Sequence, residues 1–412
     1  MNNFITYTIF TLFTASACSI LEENLFQILV LIYLLTIFLY QQKHVDKGIV
    51  IFFTLWCGIN LASYLLNRSE DFKMITFLSV SARMLFPYLM LKVIGHNFFK
   101  GLFNYWFVLC ILGFPFFVAE SVDPHFIQSL APSLNFMTQS EQTAKGGFYV
   151  FFYMHSGWAE FFGPLVRNCG FMWEPGAYAA VLIFMIIFHL ADNDYTPDWK
   201  IGFLALCLLS TFSTSGILSL FFIVAIFIFK NRQFYMKYQA IIPVIIILIL
   251  TFDLWVYYST DFLSGKIDSY IERGTKTWQW SFGDQHMTRV SRLGIAIIAL
   301  ENSIVSPWGD GIISSDFVID KYNNPSGPNS LATILFQWGW PGIIVLLYSL
   351  YNFKVKGKKC GFILMIPFLI PLFSNPFAFK SLIYALVFSV LCVPEMKYFV
   401  YNNEIIERTD ES

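Results

Sequence analysis

Charge is what this chain has least of. Asp, Glu, Lys and Arg make up 13% of its 412 residues, about half the share of a soluble domain, and they gather between long apolar runs. With 57% hydrophobic residues and a mean hydropathy of +0.61, that scarcity excludes an ordinary soluble domain and points to a bilayer protein. A formal net charge of −1 removes the basic surface that nucleic-acid binding needs, so no nucleic acid is expected as a partner. Cysteine is unpatterned. Of Cys18, Cys57, Cys110, Cys169, Cys207, Cys360 and Cys392, only Cys169 falls outside the apolar runs, which leaves neither a disulfide framework nor metal-ligand spacing. The first run lacks a basic n-region and a small-residue cleavage site, so it is expected to stay as a helix and not to be cleaved as a signal peptide.

What is present is a succession of apolar runs. They lie at roughly 4–20, 25–41, 49–66, 73–94, 102–119, 174–191, 200–213, 215–230, 239–256, 329–351, 360–373 and 378–394, against about 20 residues for a full crossing. The reading is an all-α polytopic membrane protein with about twelve transmembrane helices, a single integral domain over 1–412. Ser210 to Gly216 (STFSTSG) interrupts one run and reads as a tight turn, with a broken helix as the alternative. Lys43 and Lys47, Lys92 and Lys100, Lys200, the group Lys230, Arg232 and Lys237, then Lys354, Lys356, Lys358 and Lys359, and finally Lys397 occupy alternate loops. Positive charge stays on the cytoplasmic side, so both termini are expected there. The long loops 120–173 and 257–328 then face the opposite side, the periplasm or cell exterior in a bacterium. Their aromatic segments, Gly147 to Leu165 and Trp255 to Trp280, read as loops or short helices on the outer leaflet. They either anchor in membrane lipids or stack on the sugars of a lipid-linked glycan.

Chemistry concentrates where charge meets these runs. In Arg167 to Ala180 (RNCGFMWEPGAYAA), an arginine and a glutamate immediately precede an apolar helix, and ionised groups there need hydration, a partner or a ligand. Glu174 before Pro175 fits helix capping; capping does not account for Arg167. Arg289 and Arg292 (MTRVSRLG) open a stretch with helical periodicity, and a spacing of three puts them on one side of a helix. Guanidinium forks suit a diphosphate, with snorkelling to headgroups as the alternative. Arg83 sits inside the fourth run and is a third candidate for an anionic group, or for a structural carboxylate. His286, the only histidine of its loop, is a base candidate by its ordinary pKa. Pro307-Trp308-Gly309-Asp310-Gly311 reads as a tight loop steadied by the Asp310 side chain. The run that begins at Asn329 is interrupted at Trp338-Gly339-Trp340-Pro341-Gly342.

The order of these features resembles the O-antigen polymerase and O-antigen ligase superfamily of bacterial surface-polysaccharide synthesis. The likeness rests on the many spans, two large exterior loops, R-x-x-G-x-x-x-E-P-G at Arg167 to Gly176, S-T-S-G at Ser213 to Gly216, the arginine-led stretch from Arg289, P-W-G-D-G, and N-S-L from Asn329. Family members often carry His-Asn where this chain has Pro328-Asn329, which weakens the ligase reading. The resemblance implies a GT-C-like, metal-independent glycosyltransferase without a cofactor, in the bacterial inner membrane. It would join repeat units carried on undecaprenyl diphosphate, with a chain-length regulator protein as a further partner. It implies Glu174, Arg167 and Arg289 as catalytic residues, and Arg292, Arg83, Asn329 and His286 as substrate-binding. The rivals are a ligase moving finished polymer to lipid A core and a lipid-linked oligosaccharide flippase.

Overall fold

A computed structural model describes residue 7 and residues 24–67, 74–123, 125–127, 129–130, 148–150, 153–155, 166–230, 236, 247, 251, 278–282, 285–312, 318, 321–322, 329–375 and 380–392. These are mostly helical. The helices are α1 (Asn24–Tyr40), α2 (Lys47–Asn67), α3 (Met74–Ile94), α4 (Phe98–Val122), α5 (Pro175–Asp192), α6 (Trp199–Ser210), α7 (Thr214–Lys230), α8 (Arg292–Val305), α9 (Ser330–Asn352), α10 (Phe362–Ser374) and α11 (Ser381–Leu391). Each apolar run from 25 to 230, and each from 329 onward, coincides with one of them to within a few residues. The runs at 4–20 and 239–256 lie largely outside the described residues. Lys47–Leu66, Met74–Val122, Pro175–Asp192 and Ser330–Asn352 are long and apolar enough to cross a membrane, while α6, α7, α10, α11 and the described part of α1 are apolar but shorter.

The core is built around α5. Its sequence is apolar on every face, which favours a helix enclosed by others over one with a solvent side, and 89% of it is buried. It packs against α6, α7 and α10. Phe184 on α5 lies with its ring 5.9 Å from Phe99, 6.4 Å from Trp106 and 6.2 Å from both Phe353 and Phe368. The segment STFSTSG is a turn, since α6 ends at Ser210 and α7 begins at Thr214. Small side chains allow that reversal: a Cβ at Gly216 would lie 3.0 Å from both Ala179 Cβ and Leu208 Cδ1.

At one end of the bundle, Asp198 caps α6 by accepting from the Lys200 and Ile201 amides at 3.1 and 3.2 Å, and its other oxygen lies 2.8 Å from His189 Nε2. At the same end, Lys356 is 3.5 Å from Asp192 and Lys358 pairs with Asp194. These contacts join the α5–α6 turn to the hairpin of β5 (Lys354–Val355) and β6 (Lys358–Lys359). The loops that the lysine pattern assigns to one side therefore meet in space. Burial of Asp198 opposes its charge, but the bonds from His189 and the two amides outweigh it and hold the carboxyl below its usual range. Its contribution to stability is full above the ordinary aspartate pKa of about 4 and is lost as pH falls through the lowered value. In detergent-solubilised protein, the acid-side fall in melting temperature is expected to be shallower for Asp198→Asn than for the native chain.

Helix α9 is broken at Gly339, whose φ of 61° and ψ of −157° are not helical, and the P-W-G-D-G loop fills the break. Trp340 N donates to Pro307 O at 3.0 Å, Asp310 N to Phe336 O at 2.7 Å and Gly311 N to Gln337 O at 3.1 Å. Backbone groups freed by the interruption thus find partners, as an apolar setting demands. Asp310 Oδ2 accepts from Asn302 Nδ2 at 2.9 Å, and Asn60 Oδ1 accepts from Ile312 N at 2.9 Å. The motif is a latch joining α2, α8 and α9.

Two further hairpins depart from the expectation of loops or short helices in the exterior segments. β1 (Phe148–Val150) pairs with β2 (Tyr153–His155), and β3 (Trp278–Phe282) with β4 (Gln285–Arg289), both antiparallel. In the second pair His286 is opposite Ser281 and Arg289 opposite Trp278. The first is pinned to α4, where Tyr153 donates to Glu120 Oε2 and His155 Nδ1 lies 2.8 Å from Glu120 Oε1. Burial and the Glu120 charge push the Tyr153 phenol well above its usual pKa, so it remains a donor.

Candidate functional site

The segment before α5 is held by its own backbone and by the turn opposite. Asn168 N donates to Ser210 O at 3.0 Å, and Asn168 Nδ2 to Ser210 Oγ at 2.9 Å. Gly170 N donates to Asn168 Oδ1 at 2.9 Å, while Met154 N donates to Gly170 O at 2.7 Å. Gly170 has a φ of +51°, and a Cβ there would lie 2.4 Å from the Tyr178 ring, so glycine satisfies both the turn and the close approach. The spacing R-x-x-G-x-x-x-E-P-G therefore has a local cause: Gly170 turns the chain back onto the first turn of the helix that Pro175 begins.

Arg167 does not reach the glutamate. Its Nε donates to Thr211 O at 3.1 Å and its Nη2 to Phe212 O at 3.2 Å, clamping the carbonyls that follow α6. A cation suits that negative helix end. Phe212 itself has a φ of 45°, an unfavourable conformation for a residue with a Cβ; Arg167 holds this turn.

Glu174 is the N-cap residue of α5, yet its side chain makes no capping bond. Its Oε1 is buried and accepts no hydrogen bond, and no ion pair joins it to another described residue. The capping explanation of Glu174 therefore fails. A second buried acceptor lies at the same helix start: Asn375 Oδ1, also without a donor, lies 2.3 Å from where a Cβ on Gly176 would be. Asn375 is 1% exposed, and its Nδ2 donates to Pro371 O at 2.9 Å.

Asn375 O accepts from Ser330 Oγ at the start of α9. Next to it, Asn329 caps α9 by accepting from Ala332 N at 3.0 Å and donates from Nδ2 to Arg292 O at 3.0 Å. Both ends of the Asn329 amide are thus bonded within the protein, so it positions Arg292. Arg292 is the first residue of α8, half-buried, with no ion pair to another described residue. Lys380 stands over the Trp173 ring at 4.4 Å, directly beside Glu174 in sequence. A continuous contact path therefore runs from Arg292 through Asn329, Ser330 and Asn375 to Gly176.

The shared helix face expected for Arg289 and Arg292 does not form. Ser291 caps α8 by accepting from Gly294 N at 2.9 Å, so the helix begins after it and Arg289 ends strand β4. The side chains of Arg289 and His286 lie outside the described residues, as does Pro328. Arg83, half-buried in α3, forms no hydrogen bond or ion pair with another described residue, and no contact brings it to this corner.

Asn375 and Lys380 carry no motif, but a signal for each exists. Asn375-Pro376 is a turn dipeptide between two apolar runs, and Lys380 is the one basic residue of the last apolar run, 378–394, near the end that the lysine alternation assigns to the exterior, against the usual bias. The chain matches no protein-family model, no curated protein and no solved structure.

Proposed function

We propose that this protein is a membrane glycosyltransferase that polymerises oligosaccharide repeat units carried on undecaprenyl diphosphate into a surface polysaccharide. The observation that carries the reading is the carboxylate of Glu174 at a helix N-terminus, its Oε1 buried and without a donor, in a corner bordered by Asn375, with Lys380 and Arg292 on the elements that build it. A carboxylate that bonds to no other described residue is available to a substrate hydroxyl as its proton acceptor. In the proposed step a sugar hydroxyl of one lipid-linked unit attacks the anomeric carbon of the growing chain. Its proton passes to Glu174, and the anomeric carbon–oxygen bond breaks with its electron pair leaving on the lipid diphosphate. Arg292 and Lys380 stabilise that leaving anion, a role that needs fixed positive charge. Arg289 joins them in the proposal, while Arg167 acts as the clamp that sets the position of the segment before α5. Twelve spans, a GT-C-like arrangement, periplasmic placement of both long loops, an inner-membrane location and a chain-length regulator as partner belong to the same reading.

Chromosomal replacement provides the test. Cells carrying Arg292→Ala at normal protein level are expected to lose long polysaccharide chains and to keep single repeat units on their surface glycolipid. Loss of single units together with polymer would indicate a ligase, and lipid-linked units accumulating on the cytoplasmic side a flippase. Unchanged chain lengths in Arg292→Ala and in Lys380→Ala would overturn the diphosphate assignment.

A further inference from the structure

We infer that Asn375 Oδ1, Glu174 Oε1 and the free amides of the first turn of α5 form a subsite for a sugar hydroxyl, separate from the positions that hold the diphosphate. The inference deepens the polymerase reading, and rests on it only for which molecule that hydroxyl belongs to. Asn375 is 1% exposed, with its amide nitrogen engaged by Pro371 O at 2.9 Å and its oxygen without a donor. That oxygen is aimed at the helix start, close enough that only glycine fits at 176. Glu174 Oε1 is the second acceptor without a donor at the same turn. Helix geometry adds donors to these acceptors, because the first N–H groups of α5 have no intrahelical partner and Glu174 makes no capping bond to them.

A ligand here must accept from amides and donate to two oxygens. Phosphate has acceptors only and would face a carboxylate and a carbonyl oxygen. An ammonium has donors only and would meet the positive end of a helix. A hydroxyl does both, so the corner selects a polyol, and its position beside Glu174 places that hydroxyl where a proton acceptor waits. Asn375 is therefore a specificity-determining contact for the attacking sugar.

The test uses purified full-length protein in detergent and two probes, the repeat-unit oligosaccharide released from the cells' own polysaccharide and inorganic pyrophosphate, with binding read by calorimetry. Asn375→Ala and Gly176→Ala are each expected to weaken oligosaccharide binding by up to about tenfold, the scale of one lost hydrogen bond to a polar ligand, and to leave pyrophosphate binding within about twofold. Arg292→Ala is expected to do the reverse. Gly176→Ala places a Cβ 2.3 Å from Asn375 Oδ1 and displaces that side chain without deleting it, so it reports on the subsite even if Asn375→Ala does not fold. Oligosaccharide that fails to bind the native protein, or binds Gly176→Ala and Asn375→Ala as tightly as the native protein, overturns the subsite. Asn375-dependent oligosaccharide binding in a protein whose deletion leaves polymer length unchanged keeps the subsite and removes the polymerase reading.

Discussion

Glu174→Gln is expected to slow the joining of lipid-linked repeat units about 10²–10⁴-fold, the usual contribution of a positioned general base, without lowering the stability of the protein. The two halves of that expectation have one physical origin. Glu174 makes no capping bond, its Oε1 has no donor, and no ion pair joins it to another described residue, so among the described residues nothing satisfies this partly buried carboxylate. Replacing it with a neutral isostere deletes no hydrogen bond or ion pair to another described residue. Stability should stay level or rise, the signature of a residue kept for function at the expense of the fold. Incubating membranes with extracted lipid-linked units gives the rate, and thermal denaturation in detergent gives the stability. A melting temperature lowered by several degrees with polymerisation unaffected would show instead that Glu174 is structural.

How much of this corner was legible depended on sequence distance. Arg167, Gly170, Glu174 and Pro175 lie within one short stretch, so their association could be read directly, and the glycine and proline even carry their geometry with them. The partners of Arg167 could not be read, because they are main-chain carbonyls at Thr211 and Phe212, and carbonyls have no residue type. Asn375 is legible only as part of a turn dipeptide, for a related reason: its importance lies in a missing bond across the start of α5, and a missing bond leaves no pattern. Arg289 is not helical because the apolar periodicity begins only at Leu293, and Ser291, a residue that favours N-caps, starts the helix after it. The strand before it had its own signs in W-Q-W-S-F, a Gly-Asp turn and Q-H-M-T-R, where aromatic residues at every second position suit a hairpin. Helix positions were readable throughout the described residues because a long apolar run in this composition has few alternatives. Whether each run is long enough to cross depends on ends that the caps decide.

Gly339→Ala is expected to destabilise the protein by about 4 kcal/mol or more, whereas Gly58→Ala in α2 should stabilise it by about 0.5–1 kcal/mol. The same methyl group has opposite effects because of what surrounds it. Gly58 lies inside a helix with nothing within 4 Å of an added Cβ, so alanine there brings only its better helix propensity. At Gly339, φ is +61° and ψ is −157°, a region open to glycine almost alone, which costs other residues about 1–3 kcal/mol. A Cβ would also stand 2.1 Å from Pro307 O, 2.6 Å from Gly309 N and 2.6 Å from Trp308 C. All three atoms are backbone, so no rotamer change relieves the clash, and the loop must withdraw. Withdrawal removes the three bonds that tie residues 307–311 to the break in α9, each worth about 0.5–1.5 kcal/mol, and leaves helix carbonyls unpaired in an apolar setting. Gly309, with a φ of +83° and a Cβ position 2.5 Å from Gln337 O, meets the same obstacle from the other side, so Gly309→Ala should behave likewise. Because α9 begins at Asn329 and Ser330, which hold Arg292 and Asn375, loosening the latch should also weaken oligosaccharide and pyrophosphate binding together. Melting temperature and the two binding constants, measured on one preparation, separate that shared loss from the selective losses expected of the corner's own residues. Equal stability of Gly339→Ala and the native chain would mean that the latch does not hold α9 as described.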